Sequence, residues 1–208
     1  MARTDAVLTV DLHHGHLDPD VATLPLPAAK AEAVIDHASE LTAAARRAGV
    51  PVLHVTSAYR NPEEILSCPK WRPADVDVDA DNLRDVSGIG DHNPVGTKLT
   101  EVMPAIRDDE YDVFTHAKKR YSPFLHTDLE FLLDQRDVDR LFVAGVNTNS
   151  CVQCTCFEAC NRDYEVVVVE DCVDSMDGEA YHEAALENIE QVLGTVVSLQ
   201  DAVAELNG

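Results

Sequence analysis

The chain is 208 residues long, which is enough for one substantial hydrophobic core, and we expect a single domain over residues 1–208. Its formal net charge is −22, from 38 acidic and 16 basic side chains. That balance excludes nucleic acid as an expected partner, because phosphate recognition needs concentrated lysine and arginine. No apolar stretch reaches the roughly 18 residues of a membrane span, so no membrane partner is expected either.

The acidic residues are spread along the chain, which is typical of a solvated surface suited to high salt. The N-terminus runs into an apolar stretch without a signal-peptide pattern, and this predicts a cytoplasmic location. Thiols stay reduced in that compartment, so the six cysteines are interpreted as free thiols.

Strand-like and helix-like stretches alternate along the chain, and this predicts a three-layer α/β/α fold with a doubly wound, mainly parallel six-stranded sheet. A first helix is predicted up to Ala48, with Gly49 as its stop, and a later one ends before Gly194. Between them, residues 127–130 have the spacing of a capping box at the start of a helix. The predicted strands are residues 6–10, 52–56, 112–116, 141–146, 165–169 and 195–198.

Residues 57–98 form a long segment with little periodicity, and it contains the only tryptophan, Trp71. Loops of this length in compact domains are usually functional or disordered. We interpret the segment as a loop that covers the active site or a subunit interface. The alternative is that Trp71 is a packing anchor.

Cys151 ends the polar turn that follows the fourth predicted strand, and it opens a predicted helix. Unpaired N–H groups and the positive end of a helix dipole favour a thiolate at such a position. We therefore expect the pKa of Cys151 to fall from about 8.5 toward neutrality.

Four of the six cysteines crowd one segment, as the ligands of a metal cluster would: Cys151, Cys154, Cys156 and Cys160. At about 100° per residue, Cys156 and Cys160 point to one side of a helix, and the other two point away from them. One helix therefore cannot place all four around a single metal. Because Cys156 and Cys160 share their stripe with apolar residues, we interpret them as buried structural thiols.

Polar side chains follow three of the predicted strands, namely Asp11, Lys118 and Cys151. Ligands bind beyond the carboxyl ends of strands in open parallel sheets, so these three are expected to share one rim. A carboxylate can take the thiol proton, an ammonium favours the thiolate, and the thiolate attacks a carbonyl carbon. Each signal alone also fits a plain structural role, as a turn former or a solvated charge.

Taken together, these residues resemble the isochorismatase-like cysteine hydrolases. The resemblance follows the same order over most of the chain, and the superfamily includes nicotinamidases and the amidohydrolases of N-carbamoylsarcosine, ureidoacrylate and biuret. The residues that carry it are Asp11, Lys118-Lys-Arg-Tyr-Ser-Pro-Phe124, Gly145-Val-Asn-Thr-Asn-Ser-Cys151 and Val166-Val-Val-Val-Glu-Asp-Cys-Val173.

The resemblance implies a catalytic triad of Asp11, Lys118 and Cys151 that works through a thioester acyl-enzyme. Lys118 is preferred to Lys119 because the family's lysine stands four residues before the serine, here Ser122. Family members that cleave isochorismate lack this thiol, so Cys151 points to amide hydrolysis.

The resemblance also implies a cis peptide bond between Val146 and Asn147. That bond would turn the backbone N–H of Asn147 toward the N–H of Cys151, and the two groups would form an oxyanion hole.

The segment after the first strand, Asp11-Leu-His-His-Gly-His16, departs from the family's common Asp-x-Gln. Three histidines so close together suggest metal binding, but a zinc site needs three or four converging ligands. The nicotinamidase metal site resembles Asp-x-His with another histidine after strand two, where residues 57–64 hold none. Nicotinamidase is therefore disfavoured, and we expect no metal or other cofactor. His13 is predicted near the active site in place of the family glutamine, as a candidate substrate contact, with His14 and His16 as loop residues.

The sequence indicates the residues that bind the substrate less clearly than it indicates the catalytic ones. Arg72 and Arg120 are candidates for binding a substrate carboxylate, and for each a surface ion pair is an equal alternative. Trp71 and Phe124 are candidates for the pocket wall. Asn147, where the family often has alanine, is compatible with N-carbamoyl or ureido substrates whose polar groups its side chain would meet.

The sequence thus predicts a metal-independent cysteine amidohydrolase of a small linear amide, ureido or N-carbamoyl compound, acting as a homo-oligomer, either dimer or tetramer. The alternative is a non-catalytic metal-binding or scaffold protein of the same fold. Rapid alkylation of one thiol near neutral pH favours the enzyme. Stoichiometric metal in the purified protein, together with equally slow alkylation of all the thiols, favours the alternative.

Overall fold

A computed structural model describes residues 3–71 and 88–208 of the chain. In these residues six strands form one parallel sheet in the order β3-β2-β1-β4-β5-β6, which confirms the predicted fold class. The strands are β1 (Asp5–Val10), β2 (Val52–Val55), β3 (Val113–Phe114), β4 (Arg140–Val146), β5 (Glu165–Asp174) and β6 (Thr195–Val197). The α-helices are α1 (His14–Leu17), α2 (Ala28–Ala48), α3 (Pro62–Leu66), α4 (Leu129–Asp134), α5 (Gln153–Cys160), α6 (Glu179–Val192) and α7 (Leu199–Leu206).

Side chains of the central strands alternate between the two faces of the sheet, and each face buries its own core. Val7 and Phe142 pack on one face with α2 and α7. Leu8 and Val143 pack on the other face with α4, α5 and α6. Because both faces are covered, β1 and β4 are buried and mainly apolar after their first residue, without a regular alternation of polar residues. No helix within the described ranges has the length and hydropathy needed to cross a bilayer.

The strand order reverses between β1 and β4, which lie side by side at the centre of the sheet. After β1 the chain passes to α2 on one face, and after β4 it passes to α5 on the other. Chain segments that diverge in this way leave a crevice at the carboxyl ends of the strands, and ligands of open α/β sheets bind in that crevice.

β3 covers only Val113–Phe114 of the predicted residues 112–116, and two further elements differ from the prediction. β5 continues past residue 169 to Asp174, because the exposed Glu170 and Asp171 interrupt the apolar pattern without ending the strand, and the register against β4 shifts there. The predicted capping box at residues 127–130 does not form. The Thr127 hydroxyl instead accepts the N–H of Leu129 at 3.2 Å, and α4 begins at Leu129.

Gly145 lets β4 approach β1 closely at the edge where both strands end. Its φ is +150°, and an added Cβ would lie 2.3 Å from the carbonyl oxygen of Val10. We expect Gly145→Ala to lower the free energy of unfolding by at least about 2 kcal/mol, because the backbone of one strand must move. Equilibrium urea denaturation measures this change.

Gly90→Ala is the matched control, because its added Cβ would meet only the Pro62 ring, at 3.5 Å. We expect it to change the free energy of unfolding by less than about 0.5 kcal/mol. Equal losses in the two variants would contradict the close approach of β1 and β4.

Candidate active site

Asp11, Lys118 and Cys151 converge at the carboxyl edge of the sheet. Lys118 Nζ lies 2.7 Å from Asp11 Oδ2 and 3.2 Å from Cys151 Sγ. Asp11 and Lys118 are 0% and 2% exposed, and Cys151 is 9% exposed. The structure therefore brings the three predicted catalytic side chains into one buried cluster, with the ammonium between the carboxylate and the thiol.

Each of the three lies just beyond a strand. Asp11 follows β1 with a φ of +59°, and its backbone N–H donates to the carbonyl of Val55 in β2. Lys118 follows β3 and pairs with Ser57 in an isolated parallel bridge. Cys151 lies in a π-helical turn, Thr148–Val152, that joins β4 to α5.

Lys118 remains an ammonium in this site. Burial would lower its pKa, but the charges of Asp11 and Cys151 raise it above the ordinary lysine value. Besides the charge contact with Asp11, Nζ donates hydrogen bonds to Cys151 Sγ and, at 3.1 Å, to the carbonyl oxygen of Arg120. The three contacts match the three N–H groups of an ammonium.

Asp11 remains a carboxylate, and one of its oxygens is open to a proton. Oδ1 accepts the backbone N–H of Ser57 at 2.7 Å. Oδ2 faces Lys118 Nζ at 2.7 Å and accepts no backbone N–H in the described part of the chain. Burial would raise the pKa of Asp11, but Lys118 and His13 together hold it well below the ordinary value.

The expectation of a Cys151 thiolate near neutral pH is wrong for the resting protein. Burial raises the pKa of this thiol to about 12, because the opposing effect of Lys118 is too small and the charge of Asp11 adds to the rise. α5 begins at Gln153, so Cys151 does not occupy the first turn of an α-helix. The resting sulfur carries a proton that must leave during any nucleophilic attack.

His13 lies behind Asp11 and not in the cleft, so its assignment as a substrate contact is wrong. Its side chain is completely enclosed, and Nδ1 accepts the N–H of Gly15 at 3.1 Å. The hydrogen of the neutral ring is therefore on Nε2, which lies 3.6 Å from Asp11 Oδ1 and 3.4 Å from Ser57 Oγ. His13 thus helps to orient Asp11.

A cleft of about 460 Å³, including its open mouth, lies over the triad. Trp71 lines it, within an apolar cluster that also contains Tyr59 and Ile65, and Arg120 lines it from the segment after Lys118. Arg72, the other predicted carboxylate contact, falls outside the described residues. The described parts of residues 57–98 therefore supply much of the wall of the cleft.

Phe124 does not line the cleft, and its assignment to the pocket wall is wrong. Its ring is 6% exposed and belongs to the core beneath α4 and α5. There it stacks on Tyr164 with ring centroids 6.2 Å apart and lies 4.6 Å from the guanidinium carbon of Arg162. The sequence alone does not indicate whether an aromatic residue next to a catalytic segment turns its ring toward the cleft or toward the core.

The Val146–Asn147 peptide bond is cis, as the resemblance implied. The side chain of Asn147 does not line the cleft, and its Oδ1 accepts the backbone N–H of Met176 at 3.0 Å. The proposed fit of this side chain to ureido groups is therefore corrected. The backbone N–H of Asn147 makes no hydrogen bond within the described residues.

A hydrogen-bond network from the end of β5 supports the turn that carries Cys151. Ser175 Oγ donates to Asn149 Oδ1 at 2.6 Å, and Asn149 Nδ2 donates to Asp177 Oδ2 at 2.8 Å. Sequence reasoning missed this network because its members are more than two dozen residues apart. It also missed Ser57, although a polar residue close behind β2 is the signal that identified Asp11.

The burial predicted for two of the clustered thiols is confirmed for Cys156 and only in part for Cys160. Cys156 is fully buried in the core with Val152 and Ala159, and Cys160 packs half-buried against the same cluster. Within residues 3–71 and 88–208, no group of three or more histidine, cysteine, aspartate or glutamate side chains has the arrangement to hold a metal ion.

Residues 5–201 match the isochorismatase domain family. The chain belongs to the isochorismatase family. Among curated isochorismatase-family relatives, maleamate amidohydrolase from Pseudomonas putida is 29% identical over 98% of this chain and 87% of its own length. Ureidoacrylate amidohydrolase from Methylobacterium radiotolerans is 29% identical over 78% of this chain, and the match spans 63% of that relative.

Solved structures show the same isochorismatase-family fold. A cysteine hydrolase from Pseudomonas syringae pv. phaseolicola superposes with a TM-score of 0.78 at 23% identity, covering 97% of this chain and 92% of the other. N-carbamoylsarcosine amidase from Thermoplasma acidophilum superposes with a TM-score of 0.70 at 24% identity, covering 94% and 96%. These likenesses confirm the three-layer architecture.

Proposed function

We propose that this isochorismatase-family protein is a cysteine-dependent amidohydrolase that cleaves a small linear amide, ureido or N-carbamoyl compound through a thioester acyl-enzyme. The observation that carries the proposal is the position of Lys118 Nζ, 2.7 Å from Asp11 and 3.2 Å from Cys151. A protonated thiol beside an ionised, buried carboxylate is an arrangement for activating a nucleophile. Relatives named for hydrolysis of maleamate and ureidoacrylate support amide chemistry.

In the proposed reaction, the Cys151 proton passes to Asp11 Oδ2 as the sulfur attacks the amide carbon. The protonated Asp11 lies beside the Lys118 ammonium, which favours its ionised form, so it readily gives the proton to the departing nitrogen. Ammonia or an amine leaves, and a thioester remains on Cys151. Water then attacks the thioester while Asp11 accepts the water's proton, and the free acid and the thiol are regenerated.

The negative oxygen that forms during each attack needs hydrogen-bond donors. We assign this role to the backbone N–H groups of Asn147 and Cys151, and the lack of another partner for the Asn147 N–H supports it. Each such donor contributes roughly 3 kcal/mol to stabilisation of a transition state.

Arg120 is the proposed contact for an anionic group on the substrate. Its guanidinium donates to the carbonyl oxygens of Glu64 and Lys119 at 2.8 and 2.6 Å, and to Ser67 Oγ at 2.8 Å. All these partners are neutral, and no carboxylate pairs with Arg120 in the described part of the chain. A substrate carboxylate would supply the missing charge, and maleamate and ureidoacrylate are themselves carboxylates. Trp71 is the proposed apolar wall beside it.

Release of ammonia from a panel of amides at molar KCl tests the proposed function. The panel contains maleamate, ureidoacrylate, N-carbamoylsarcosine, biuret and nicotinamide. We expect at least one linear compound to be hydrolysed. Hydroxylamine should divert an acyl group into a hydroxamic acid, as it does with thioesters, or a carbamoyl group into hydroxyurea. Absence of ammonia from every compound, or turnover that hydroxylamine never intercepts, would contradict the proposal.

We also propose a homo-oligomer in a cytoplasm of high salt, and the net charge of −22 supports the salt requirement. Salt screens the mutual repulsion of the acidic side chains. We therefore expect the melting temperature to rise by more than about 5 °C between 0.1 and 2 M KCl. Differential scanning calorimetry measures the shift, and sucrose of equal osmolality separates screening from solute exclusion. A melting temperature that stays flat would contradict salt adaptation.

A further inference from the structure

His16 is buried beside the triad, and its surroundings fix which ring nitrogen carries the hydrogen. The residue is 7% exposed, and Nδ1 lies 3.1 Å from the carbonyl oxygen of Leu24. A carbonyl oxygen can only accept a hydrogen bond, so Nδ1 donates. In the neutral ring the lone pair must then lie on Nε2.

The ring of His16 is neutral under ordinary conditions. Burial, together with the neighbouring His13, lowers its pKa to about 4, and the opposing effect of Asp11 is smaller. Its ring centroid lies 5.0 Å from that of His13 and 5.1 Å from that of His92. His16 therefore presents a lone pair and not a positive charge.

Both neighbouring histidines have their nitrogens occupied. His92 Nδ1 lies 2.6 Å from Thr23 Oγ1, and its Nε2 accepts from Asn93 Nδ2 at 3.0 Å. His13 Nδ1 accepts from Gly15, and its Nε2 contacts Ser57. Both rings are therefore held by protein partners.

His16 Nε2 differs from these nitrogens. Nε2 has no hydrogen-bond partner in the described part of the chain. Unlike the enclosed polar atoms that also lack a partner, Nε2 retains some exposed surface. His16 lines the cleft that also contains Asp11 and Cys151. Nε2 is therefore the polar atom that this side chain offers to the contents of the cleft.

We propose that His16 is a specificity-determining residue whose Nε2 accepts a hydrogen bond from an N–H group of the substrate. This rests on the proposed function, since it assigns recognition within the same cleft. The site would select amides and ureides that carry N–H, and it would discriminate against N,N-dialkyl amides, which leave the lone pair of His16 unpaired. A substrate carboxylate would be repelled by this lone pair, so it must face another part of the cleft, such as Arg120.

Alkylation of Cys151 tests the proposal without any need for turnover. The probes are iodoacetamide, which carries two N–H groups, and 2-iodo-N,N-dimethylacetamide, which carries none. Rates of adduct formation at Cys151 are followed by peptide mass spectrometry and divided by the rates of the same reagents with glutathione. We expect the wild-type protein to prefer iodoacetamide by about tenfold after this correction, the range for one hydrogen bond to a buried acceptor.

His16→Phe keeps a ring but removes the acceptor, and we expect it to lose this preference. His16→Gln retains an acceptor oxygen and should keep part of it. The matched control is His116→Phe, because the His116 side chain is 85% exposed, and this variant should behave as the wild type does. A wild-type protein without the preference, or a preference that survives in His16→Phe, would overturn the proposal. If His16→Phe fails to fold, the wild-type ratio and His16→Gln still decide.

The two proposals fail separately in these experiments. A protein that shows the alkylation preference but releases no ammonia from any amide keeps the His16 site and loses the proposed function. A protein that releases ammonia but shows no alkylation preference keeps the proposed function and loses the His16 site.

Discussion

Cys151→Ala is expected to reduce the turnover of any amide substrate by on the order of 10⁴-fold or more, because it removes the atom that forms the thioester. The folded state should persist, since Cys151 contributes one small side chain to the edge of a large apolar cluster. We expect the free energy of unfolding to change by less than about 2 kcal/mol. Ammonia release and urea denaturation on the same preparation measure both quantities.

Cys154→Ala is the matched control for this variant. Cys154 lies in the same segment and is half-buried, and its thiol makes no hydrogen bond to Asp11, Lys118 or Cys151 within the described residues. It should retain nearly full activity. Activity that persists in Cys151→Ala, or hydroxamate that still forms there, would eliminate the thioester mechanism.

Lys118→Met is expected to lower the free energy of unfolding by about 3–5 kcal/mol at neutral pH, because it leaves Asp11 as an unpaired buried charge. Asp11 is 0% exposed, so little water is available to solvate it in place of the lost ammonium. Activity should fall with stability, since without Lys118 we expect burial to outweigh the effect of His13, raise the pKa of Asp11 and neutralise the base. Urea denaturation across pH 4 to 8 measures the change.

The pH dependence of stability should reverse in this variant. In the wild type the folded-state pKa of Asp11 is depressed, so its contribution is present above the unfolded-state pKa of about 3.9 and is lost as the pH falls through the folded-state value. In Lys118→Met the folded-state pKa lies above the unfolded one. The contribution is then present at low pH and is lost, at up to about 1.4 kcal/mol per pH unit, as the pH rises through the folded-state pKa.

The double variant Asp11→Asn, Lys118→Met separates stability from chemistry. Removing both charges should restore most of the stability lost in Lys118→Met, because no unpaired charge remains. Activity should stay absent, since the base is gone. A double variant no more stable than Lys118→Met would show that the ion pair does not account for the loss.

The sequence was sufficient for the position of the triad because of a simple geometric rule. Parallel strands end at one edge, so the apolar runs of β1 and β4 are enough to predict that Asp11 and Cys151 lie together. Lys118 needed the family resemblance in addition, because β3 has only two residues and paired lysines are common on surfaces.

The predictions that failed depended on contacts between distant segments. The pKa of Cys151 depends mainly on burial, which raises it, and on the charge of Lys118, which lowers it. No local motif indicates how completely a thiol will be buried. The side chain of Asn147 bonds a residue that follows the next strand, Met176. The lone pair of His16 is exposed only because Leu24 supplies a carbonyl to the other nitrogen.

The Asp11 and Lys118 pair makes the proposed reaction electroneutral within the site. One negative and one positive group begin the cycle, and the proton that leaves sulfur stays on the neighbouring carboxylate until nitrogen or water exchanges it. The buried charge is therefore constant while the negative charge of the substrate oxygen replaces that of Asp11. The net charge of −22 consequently has little effect on the activation free energy of the proposed chemical step. Changes in surface charge and changes in the proposed catalytic centre can thus proceed independently of each other.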